Sequence, residues 1–164
     1  MNISLRLMQI DDLPMVSGWY QAIDSMKYYA TRYLPKTFNG IDVVRREEYA
    51  CYMILADGVE CGIVWLEKDN PSDNQAFLGI LLGSTDSFGR GIGTEAIRQV
   101  ITNAQTQLSY SSVSLNVRQS NFRGISCYKK CGFEIIDEGS KAISSGEHVK
   151  YYIMQRALCD LEKI

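Results

Sequence analysis

The sequence predicts an α/β (α+β) fold in a single domain covering residues 1–164: a mixed, mostly antiparallel twisted sheet of about seven strands, flanking helices and one central parallel β-α-β crossover. Three observations favour this fold. Apolar and polar residues alternate in several short segments, as in half-buried strands. A two-residue turn joins two of these segments into an antiparallel hairpin. Further along, an amphipathic helix separates two apolar strands, which indicates a right-handed parallel crossover.

The composition is that of an ordinary globular protein, with 46% hydrophobic and 22% charged residues. The net charge of −2 argues against a nucleic-acid partner, because proteins that bind nucleic acid carry a basic excess on one face. No apolar run approaches the roughly 18 residues that span a bilayer, and the N-terminal residues lack the pattern of a signal peptide. We therefore expect a cytoplasmic protein without a membrane partner.

The five cysteines predict packed, reduced thiols. Their number is odd, and Cys51 and Cys61 have apolar neighbours. Cys127 and Cys131 are four residues apart and share a helix face, but His148 is the only histidine. Because zinc sites combine several cysteine and histidine ligands, we expect no metal site.

The N-terminal segment predicts a strand followed by a helix. Apolar residues alternate with others over residues 3–8, which is the pattern of a strand. Asp11 or Asp12 can cap a helix that runs to about Ala22, and Pro14 is tolerated in its first turn.

An antiparallel hairpin is predicted in the middle of the chain. Strands at Tyr49 to Ala56 and Val59 to Glu67 flank Asp57-Gly58, a dipeptide suited to a type I′ turn because glycine accepts a positive φ. Before the hairpin, the aromatic-rich segment from Ile23 to Asn39 predicts short helices joined by loops.

The rest of the chain predicts alternating strands and helices. The run Ala76 to Leu82 is apolar on both faces and is expected in the centre of the sheet. Asn121 can cap the second helix of this part, and Gly132 is placed to stop it. The other predicted elements are a helix from Gly91 to about Leu108, a strand through Val113, Leu115 and Val117, a helix ending near Cys131, and closing strands at Phe133 to Asp137 and Val149 to Arg156.

The segment from Ser87 to Thr94 joins the central strand to a helix, and every second residue from Gly89 to Gly93 is glycine. Glycine lets the backbone approach a ligand, and the helix directs its N–H groups and positive dipole end into the loop. The loop is therefore expected to bind an anion, most often phosphate. Two common nucleotide patterns do not fit, because no lysine follows the last glycine and the G-x-G-x-G spacing comes after antiparallel strands.

Two segments match motifs of one family. The segment from Phe88 to Ile97, F-G-R-G-I-G-T-E-A-I, resembles motif A of the GCN5-related N-acetyltransferases (GNAT), Q/R-x-x-G-x-G/A. The segment from Asn121 to Phe133 resembles their motif B, N-x-R-A-x-x-x-Y-x-K-x-G-F. Both motifs occur at the family's spacing, and the order of elements is similar over nearly the whole chain.

The resemblance implies acetyl-CoA as the cosubstrate. It implies that the strand ending at Leu82 parts from the strand after the crossover, that the thioester enters this gap, and that Gly79 and Gly83 are places for a bend. The pantetheine arm would pair with the strand backbone as an additional strand. The residues implied in cofactor binding are Ile80, Leu81, Leu82, Phe88, Gly89, Arg90, Gly91, Ile92, Gly93, Thr94, Asn121 and Tyr128.

The resemblance also implies that a neutral amine attacks the thioester carbonyl, which requires a base, a donor for the oxyanion and an acid for the leaving thiolate. Tyr128 matches the motif B tyrosine and is the expected acid. The backbone N–H of Leu81 or of Leu82 is the expected oxyanion donor. Asn121 either bonds the pantetheine arm or only caps its helix, and the two roles are compatible.

Two positions depart from the family pattern. Phe88 stands at the Q/R position of motif A, which removes one polar contact to CoA, and Arg90 is a candidate to supply charge. Phe77 stands where related members often carry a glutamate, so the usual base is absent. The candidates to replace it, directly or through water, are Glu67, Asp24, Asp86 and His148.

The segment between the first helix and the second strand is expected to build the acceptor site. An aromatic wall with a carboxylate suits an amine. The candidates for the wall are Trp19, Tyr20, Tyr28, Tyr29 and Tyr33, with Asp24 as the carboxylate.

The implied function is an N-acetyltransferase that moves acetyl from acetyl-CoA to a primary amine in a ternary complex. A small-molecule amine is favoured over a protein N-terminus because the chain has no basic or low-complexity arm. The alternative is a CoA-binding sensor without turnover. A homodimer is left open, with the tail from Cys159 to Ile164 packed on the partner.

Overall fold

The computed structural model describes residues 1–22, 49–143 and 145–159. Within these ranges the chain forms a seven-stranded mixed sheet in the order β1-β2-β3-β4-β5-β7-β6, which confirms the predicted fold class. The strands are β1 (Ile3–Leu7), β2 (Tyr49–Ala56), β3 (Val59–Glu67), β4 (Gln75–Leu82), β5 (Ser112–Arg118), β6 (Glu134–Ala142) and β7 (His148–Ala157). The α-helices of the described ranges are α1 (Leu13–Ala22), α2 (Ile92–Asn103) and α3 (Phe122–Lys130).

The hairpin of β2 and β3 forms as predicted, within a run of four antiparallel strands. Its turn has a positive φ at both Asp57 (50°) and Gly58 (81°), which is the requirement of a type I′ turn. The Asp57 carboxylate accepts the Asn2 N–H at 2.7 Å. The turn is therefore tied to the start of the neighbouring strand β1.

A gap opens in the sheet between β4 and β5, the parallel strands that α2 connects. The two strands pair over three residues only, ending with Phe77 opposite Ser114. β4 continues to Leu82 and β5 to Arg118, so the two strands part directly before Gly79. The gap that the sequence resemblance implies is therefore present.

Each face of the sheet carries its own apolar layer. On the α2–α3 face, Ile97 of α2 is buried in the larger cluster. On the opposite face, the α1 face, Val16 of α1 is buried in a smaller cluster with Leu81. Because successive side chains of a strand point to opposite faces, Ile80 and Leu82 of β4 pack on the α2–α3 face while Leu81 packs on the α1 face.

The helix predicted to reach Leu108 ends earlier, at Asn103. The chain then tightens into a 3-10 turn at Ala104–Thr106, where the Thr106 hydroxyl donates to the Asn103 carbonyl at 2.9 Å. Such local hydrogen bonds compete with helix continuation. The Tyr110 hydroxyl also donates to a carbonyl of the last helical turn, at Ile101.

The strand predicted to end at Asp137 continues to Ala142. It is the edge strand of the sheet, and its later residues are exposed and polar, so they show no alternation of burial. They form a strand because β7 pairs with them as far as Lys141 opposite Val149 and Ala142 opposite His148. This pairing is a tertiary effect that the local pattern does not contain.

Some predictions fall outside the described ranges. They are the short helices from Ile23 to Asn39, the acceptor-site candidates Asp24, Tyr28, Tyr29 and Tyr33, and the tail beyond Cys159. The two candidates that are described, Trp19 and Tyr20, pack against the α1-face cluster. The Trp19 ring covers Gly83 so closely that a Cβ atom on this glycine would lie 2.6 Å from the indole.

Candidate functional site

A cavity of about 710 Å³ lies at the gap between β4 and β5. This volume is typical of sites for cofactors and small molecules. Residues from both faces of the sheet line the cavity. The predicted cofactor-binding residues among them are Ile80, Leu82, Phe88, Gly89, Gly91, Ile92, Gly93, Thr94, Asn121 and Tyr128, whereas the predicted residues Leu81 and Arg90 are not part of the lining.

The loop before α2 presents backbone amides to this cavity. Gly89 and Gly91 have φ values of 72° and 80°, which residues with a Cβ atom rarely adopt. Gly91 is the N-cap of α2 and offers no side chain to cap it, so the amides of residues 92–94 lack a partner within the helix. Together with the positive end of the helix dipole, these amides form an anion site of the kind that holds phosphate.

Basic side chains of α3 also line the cavity, and one of them lies beside the loop. The guanidinium carbon of Arg123 lies 3.9 Å from the centroid of the Phe88 ring, a cation–π contact that holds the charge beside the loop. Lys130 also lines the cavity. The predicted source of charge, Arg90, instead has its Nη2 atom 3.4 Å from the Met1 sulfur. Phe88 therefore provides the surface on which Arg123 stacks.

The backbone of β4 turns the amide of Leu81 away from the gap. A Cβ atom on Gly62 of β3 would collide with the Leu81 carbonyl oxygen, so this carbonyl points toward β3. Gly83 shares this orientation, because its N–H donates to the Cys61 carbonyl of β3 at 2.7 Å. Backbone groups of successive residues point to alternate sides of a strand. The Leu82 amide therefore faces the gap, and the Leu81 amide faces β3.

Tyr128 projects from α3 into the cavity lining. Its ring meets that of Phe133 edge-to-face, with centroids 6.2 Å apart and an angle of 65° between the planes. Gly132 (φ 87°) ends the helix as predicted and lets the Phe133 N–H donate to the Tyr128 carbonyl at 3.1 Å. Burial raises the pKa of the Tyr128 hydroxyl, so the group keeps its proton and acts as a hydrogen-bond donor.

Asn121 is the N-cap of α3, and its side-chain oxygen accepts the Gly124 N–H at 3.0 Å. The fit is close, because a Cβ atom on Gly124 would lie 2.6 Å from the Asn121 Nδ2 atom. Asn121 also lines the cavity. The predicted cap is confirmed, and a contact with a bound ligand stays a prediction.

Cys127 and Cys131 share one face of α3, as predicted, and they join this helix to the start of α2. The Cys127 sulfur lies 3.3 Å from Thr94 Oγ1, and the Cys131 thiol donates to the Thr94 carbonyl at 3.5 Å. Hydrogen bonds from Cys131 and Thr94, with the nearby charges of Lys130 and Arg98, lower the pKa of Cys127. Cys127 is part of the cavity lining.

Carboxylates mark the other end of the cavity. Glu67, the last residue of β3, is 4% exposed and lines the cavity together with the exposed Asp69. Glu67 lies opposite Phe77 in the pairing of β3 with β4. Leu82, near the glycine loop, is five residues further along β4, which corresponds to about 16 Å in a strand. The cavity thus has a basic, amide-lined end and an acidic end.

The other candidates for the base are placed elsewhere. Asp86 lies in the exposed 3-10 turn Thr85–Ser87. His148 is exposed at the start of β7, with its Nδ1 atom 3.4 Å from Ser140 Oγ. Neither lines the cavity, and Asp24 lies outside the described ranges. Of the predicted candidates that the structure describes, Glu67 is the one at the cavity.

Three residues of the cavity lining have no role predicted from the sequence: Trp65, Asn116 and Arg123. The Trp65 indole lies over Gly79, where a Cβ atom would collide with the ring. Arg123 could have been identified from its place in the first turn of the helix that motif B predicts. Trp65 and Asn116 come to the cavity through the pairing and parting of strands, for which no local signal exists.

Three further observations bear on the predicted partners. The structure carries all five cysteines as free thiols. Within the described ranges, no group of three or more His, Cys, Asp or Glu side chains is placed to hold a metal ion. No helix of these ranges has both the length and the apolar character needed to cross a membrane.

Comparison with known proteins identifies the family. A model of the acetyltransferase (GNAT) domain matches residues 2–134. The chain is similar to the probable N-acetyltransferase san of Drosophila melanogaster, with 27% identity over 140 residues that cover 83% of this chain and 76% of the relative. It is also similar to the aminoglycoside N(6')-acetyltransferase type 1 of Klebsiella pneumoniae, with 22% identity over 151 residues that cover 81% and 74%.

Solved structures agree with this result. The spermidine N-acetyltransferase from Vibrio cholerae, solved in complex with CoA and spermine, has a TM-score of 0.77 at 18% identity. The match covers 94% of this chain and 95% of that one, so the two share a fold. Because the family model spans well over half of the sequence, the chain belongs to the GNAT acetyltransferase family.

Proposed function

We propose that this protein is an N-acetyltransferase that moves acetyl from acetyl-CoA to a primary amine by direct attack in a ternary complex. One observation carries the proposal: the cavity in the sheet gap has backbone amides and the Arg123 guanidinium at one end and carboxylates at the other. CoA carries phosphates, and a primary amine is a cation in water. The two ends of the cavity therefore have the charges that the two substrates require.

The donor would bind at the end formed by the glycine loop. The amides of residues 92–94 and the guanidinium of Arg123 would hold its pyrophosphate, since both donate hydrogen bonds to anions. Gly89 and Gly91 would keep the loop in the conformation that aims these amides. The backbone of Ile80 and Leu82 would pair with the pantetheine arm, because these residues face the space that β5 leaves open.

Two groups of this chain would act on the thioester. The Leu82 N–H, rather than that of Leu81, would donate to the oxyanion that develops on the acetyl oxygen. The Tyr128 hydroxyl would protonate the sulfur as the C–S bond breaks. The new C–N bond then gives an amide, and CoA leaves as the thiol.

A small-molecule amine is the proposed acceptor. The names of similar proteins refer to aminoglycosides and spermidine, which are polycationic small molecules. Glu67 and Asp69 supply negative charge at the acceptor end, and Trp65 and Phe77 supply aromatic surface. We further propose a single-domain cytoplasmic protein, for which the free thiols are supporting evidence.

The test is release of free thiol from acetyl-CoA in the presence of kanamycin, spermidine, a free amino acid or a peptide with a free N-terminus. We expect thiol release and an acetylated product, identified by mass, with at least one small amine. Binding of CoA without acetylation of any amine would favour the sensor. Binding of ATP or NAD in place of CoA would contradict the proposed ligand.

A further inference from the structure

We propose that Glu67 is the general base of this reaction, and that its carboxylate accepts the proton of the acceptor ammonium. The assignment rests on the proposed N-acetyltransferase function. It fills the one role that the matched motifs leave without a residue. The support comes from the register of three strands, the burial of the side chain and the charges around it.

The register places Glu67 at the point where the gap begins. Glu67 pairs with Phe77 across β3 and β4, and Phe77 is the last residue of β4 that pairs with β5. Directly opposed residues of an antiparallel pair have Cβ atoms about 5 Å apart on the same face. The carboxylate therefore stands beside the opening of the gap, on the α1 face and opposite the helices that carry the glycine loop and Tyr128.

Three aromatic residues are neighbours of Glu67 in the sheet. Tyr49 of β2 is its partner on the other side of β3, Phe77 is its partner on β4, and Trp65 is the preceding residue on the same face. The Glu67 side chain lines the cavity while remaining 4% exposed to solvent. A cationic substrate that enters the cavity is therefore attracted by a negative charge that little water screens.

The other charged groups at the cavity fit different roles. Asp69 is exposed and follows β3, so water screens its charge and it attracts a cation without being shielded from solvent. Lys141 of the edge strand β6 and Lys130 of α3 also line the cavity, and both are exposed. Tyr128 keeps its proton and serves the leaving thiolate. Glu67 is the carboxylate in the described lining that is both buried and open to the cavity.

The proton balance follows from these positions. Glu67 takes one proton from the ammonium through water in the cavity, because its strand partner Phe77 lies about 16 Å along β4 from the Leu82 amide that would hold the acetyl oxygen. The neutral nitrogen then attacks the thioester carbonyl carbon. The nitrogen loses its second proton as the C–N bond forms and the C–S bond breaks, and the sulfur gains a proton from Tyr128. Transfer of the nitrogen's second proton restores the Tyr128 hydroxyl, and Glu67 releases its proton to solvent. One acyl transfer therefore yields an amide, CoA thiol and one proton.

The test compares wild type, Glu67→Gln, Glu67→Asp and Asp69→Asn with acetyl-CoA and the best amine of spermidine and kanamycin. We expect Glu67→Gln to lower kcat/KM for the amine about 100-fold at pH 7.5, which is typical for loss of a general base. The Kd for CoA should stay within about twofold. The kcat/KM of Glu67→Gln should rise tenfold per pH unit up to the pKa of the amine, because only amine that is already neutral reacts.

The two other variants separate proton transfer from attraction and from folding. Glu67→Asp should keep the wild-type shape of the pH profile at a lower rate, since it retains the carboxylate. Asp69→Asn should raise KM for the amine and also keep the wild-type shape. If Glu67→Gln keeps the wild-type pH dependence of kcat/KM, or if Asp69→Asn shows the pH dependence expected for Glu67→Gln, then Glu67 is not the general base. Either result would leave the proposed N-acetyltransferase function standing. Absence of turnover by wild type with every amine would overturn the proposed function and this assignment with it.

Discussion

The two ends of the cavity are built in different ways. The glycine loop and α3 form the donor end from two continuous segments, and Thr94 and Cys127 join them. Three strands form the acceptor end, where Glu67, Phe77 and Asn116 become neighbours only through strand pairing and parting. The donor end therefore depends mainly on backbone conformation, and the acceptor end on the identity of side chains.

This difference has a consequence for substitutions. An end that uses backbone amides tolerates changed side chains, as Phe88 shows at a position where the family pattern has a polar residue. An end made of side chains changes its chemistry with each replacement. Variants of the donor end should affect CoA binding, whereas variants of the acceptor end should affect the amine and its proton.

The largest expected effect belongs to the Tyr128 hydroxyl, the proposed acid. Tyr128→Phe removes the hydroxyl that would protonate the sulfur, and we expect kcat to fall about 100-fold while the Kd for CoA changes less than about twofold. Single-turnover kinetics and calorimetric titration with CoA measure the two quantities. Wild-type turnover in this variant would remove Tyr128 from the mechanism.

The donor end should respond strongly to a change of backbone. Gly91→Ala places a Cβ atom at φ 80°, which costs roughly 1–2 kcal/mol in that conformation. We expect the loop to relax and the Kd for CoA to rise about tenfold. Gly146→Ala is the matched control, because Gly146 has φ 88° in the turn before β7, away from the cavity lining. An equal loss of CoA affinity in both variants would contradict a specific role of the loop.

A smaller effect is expected from the basic side chains at the donor end. Arg123→Ala removes the charge stacked on Phe88, and we expect about fivefold weaker CoA binding, equivalent to about 1 kcal/mol. The difference should shrink at high salt because salt screens the charge. Arg90→Ala is the control and should change the Kd less than about twofold, since Arg90 does not line the cavity. The reverse order of the two effects would restore Arg90 as the source of charge.

The smallest expected effect is a change in the rate at which Cys127, at the donor end, is alkylated. Hydrogen bonds lower the pKa of Cys127, whereas burial raises the pKa of Cys61. Iodoacetamide at pH 7 should therefore modify Cys127 faster than Cys61. The rate at Cys127 should fall as the pH is lowered, because protonation removes the thiolate. CoA should protect Cys127, and peptide mapping by mass spectrometry detects both effects. Labelling of Cys127 at the same rate with saturating CoA would place the ligand elsewhere.

The sequence predicts the donor end more fully than the acceptor end for a physical reason. Helix caps, a glycine loop and a C-terminal glycine are local in the chain, so Asn121, Gly91 and Gly132 could be placed before any tertiary contact was known. Glu67 was one of several candidates, because its position at the gap depends on its register opposite Phe77. The orientation of the Leu81 amide likewise depends on how β4 pairs with β3.

The errors in element boundaries have the same origin. The early end of α2 follows from hydrogen bonds of Thr106 and Tyr110 with helix carbonyls. The long β6 follows from its pairing with β7. Periodicity of apolar residues identified both elements, and interactions between elements decided where they stop.

If one cavity performs two separable tasks, variants at its two ends should change different kinetic parameters. Steady-state kinetics with varied acetyl-CoA and varied amine should be determined for Arg123→Ala and Glu67→Gln side by side. We predict that Arg123→Ala raises KM for acetyl-CoA and keeps the wild-type pH dependence of kcat/KM for the amine. Glu67→Gln should keep the wild-type KM for acetyl-CoA and change this pH dependence. If both variants change the same kinetic parameter in the same way, the two ends of the cavity do not have separate roles.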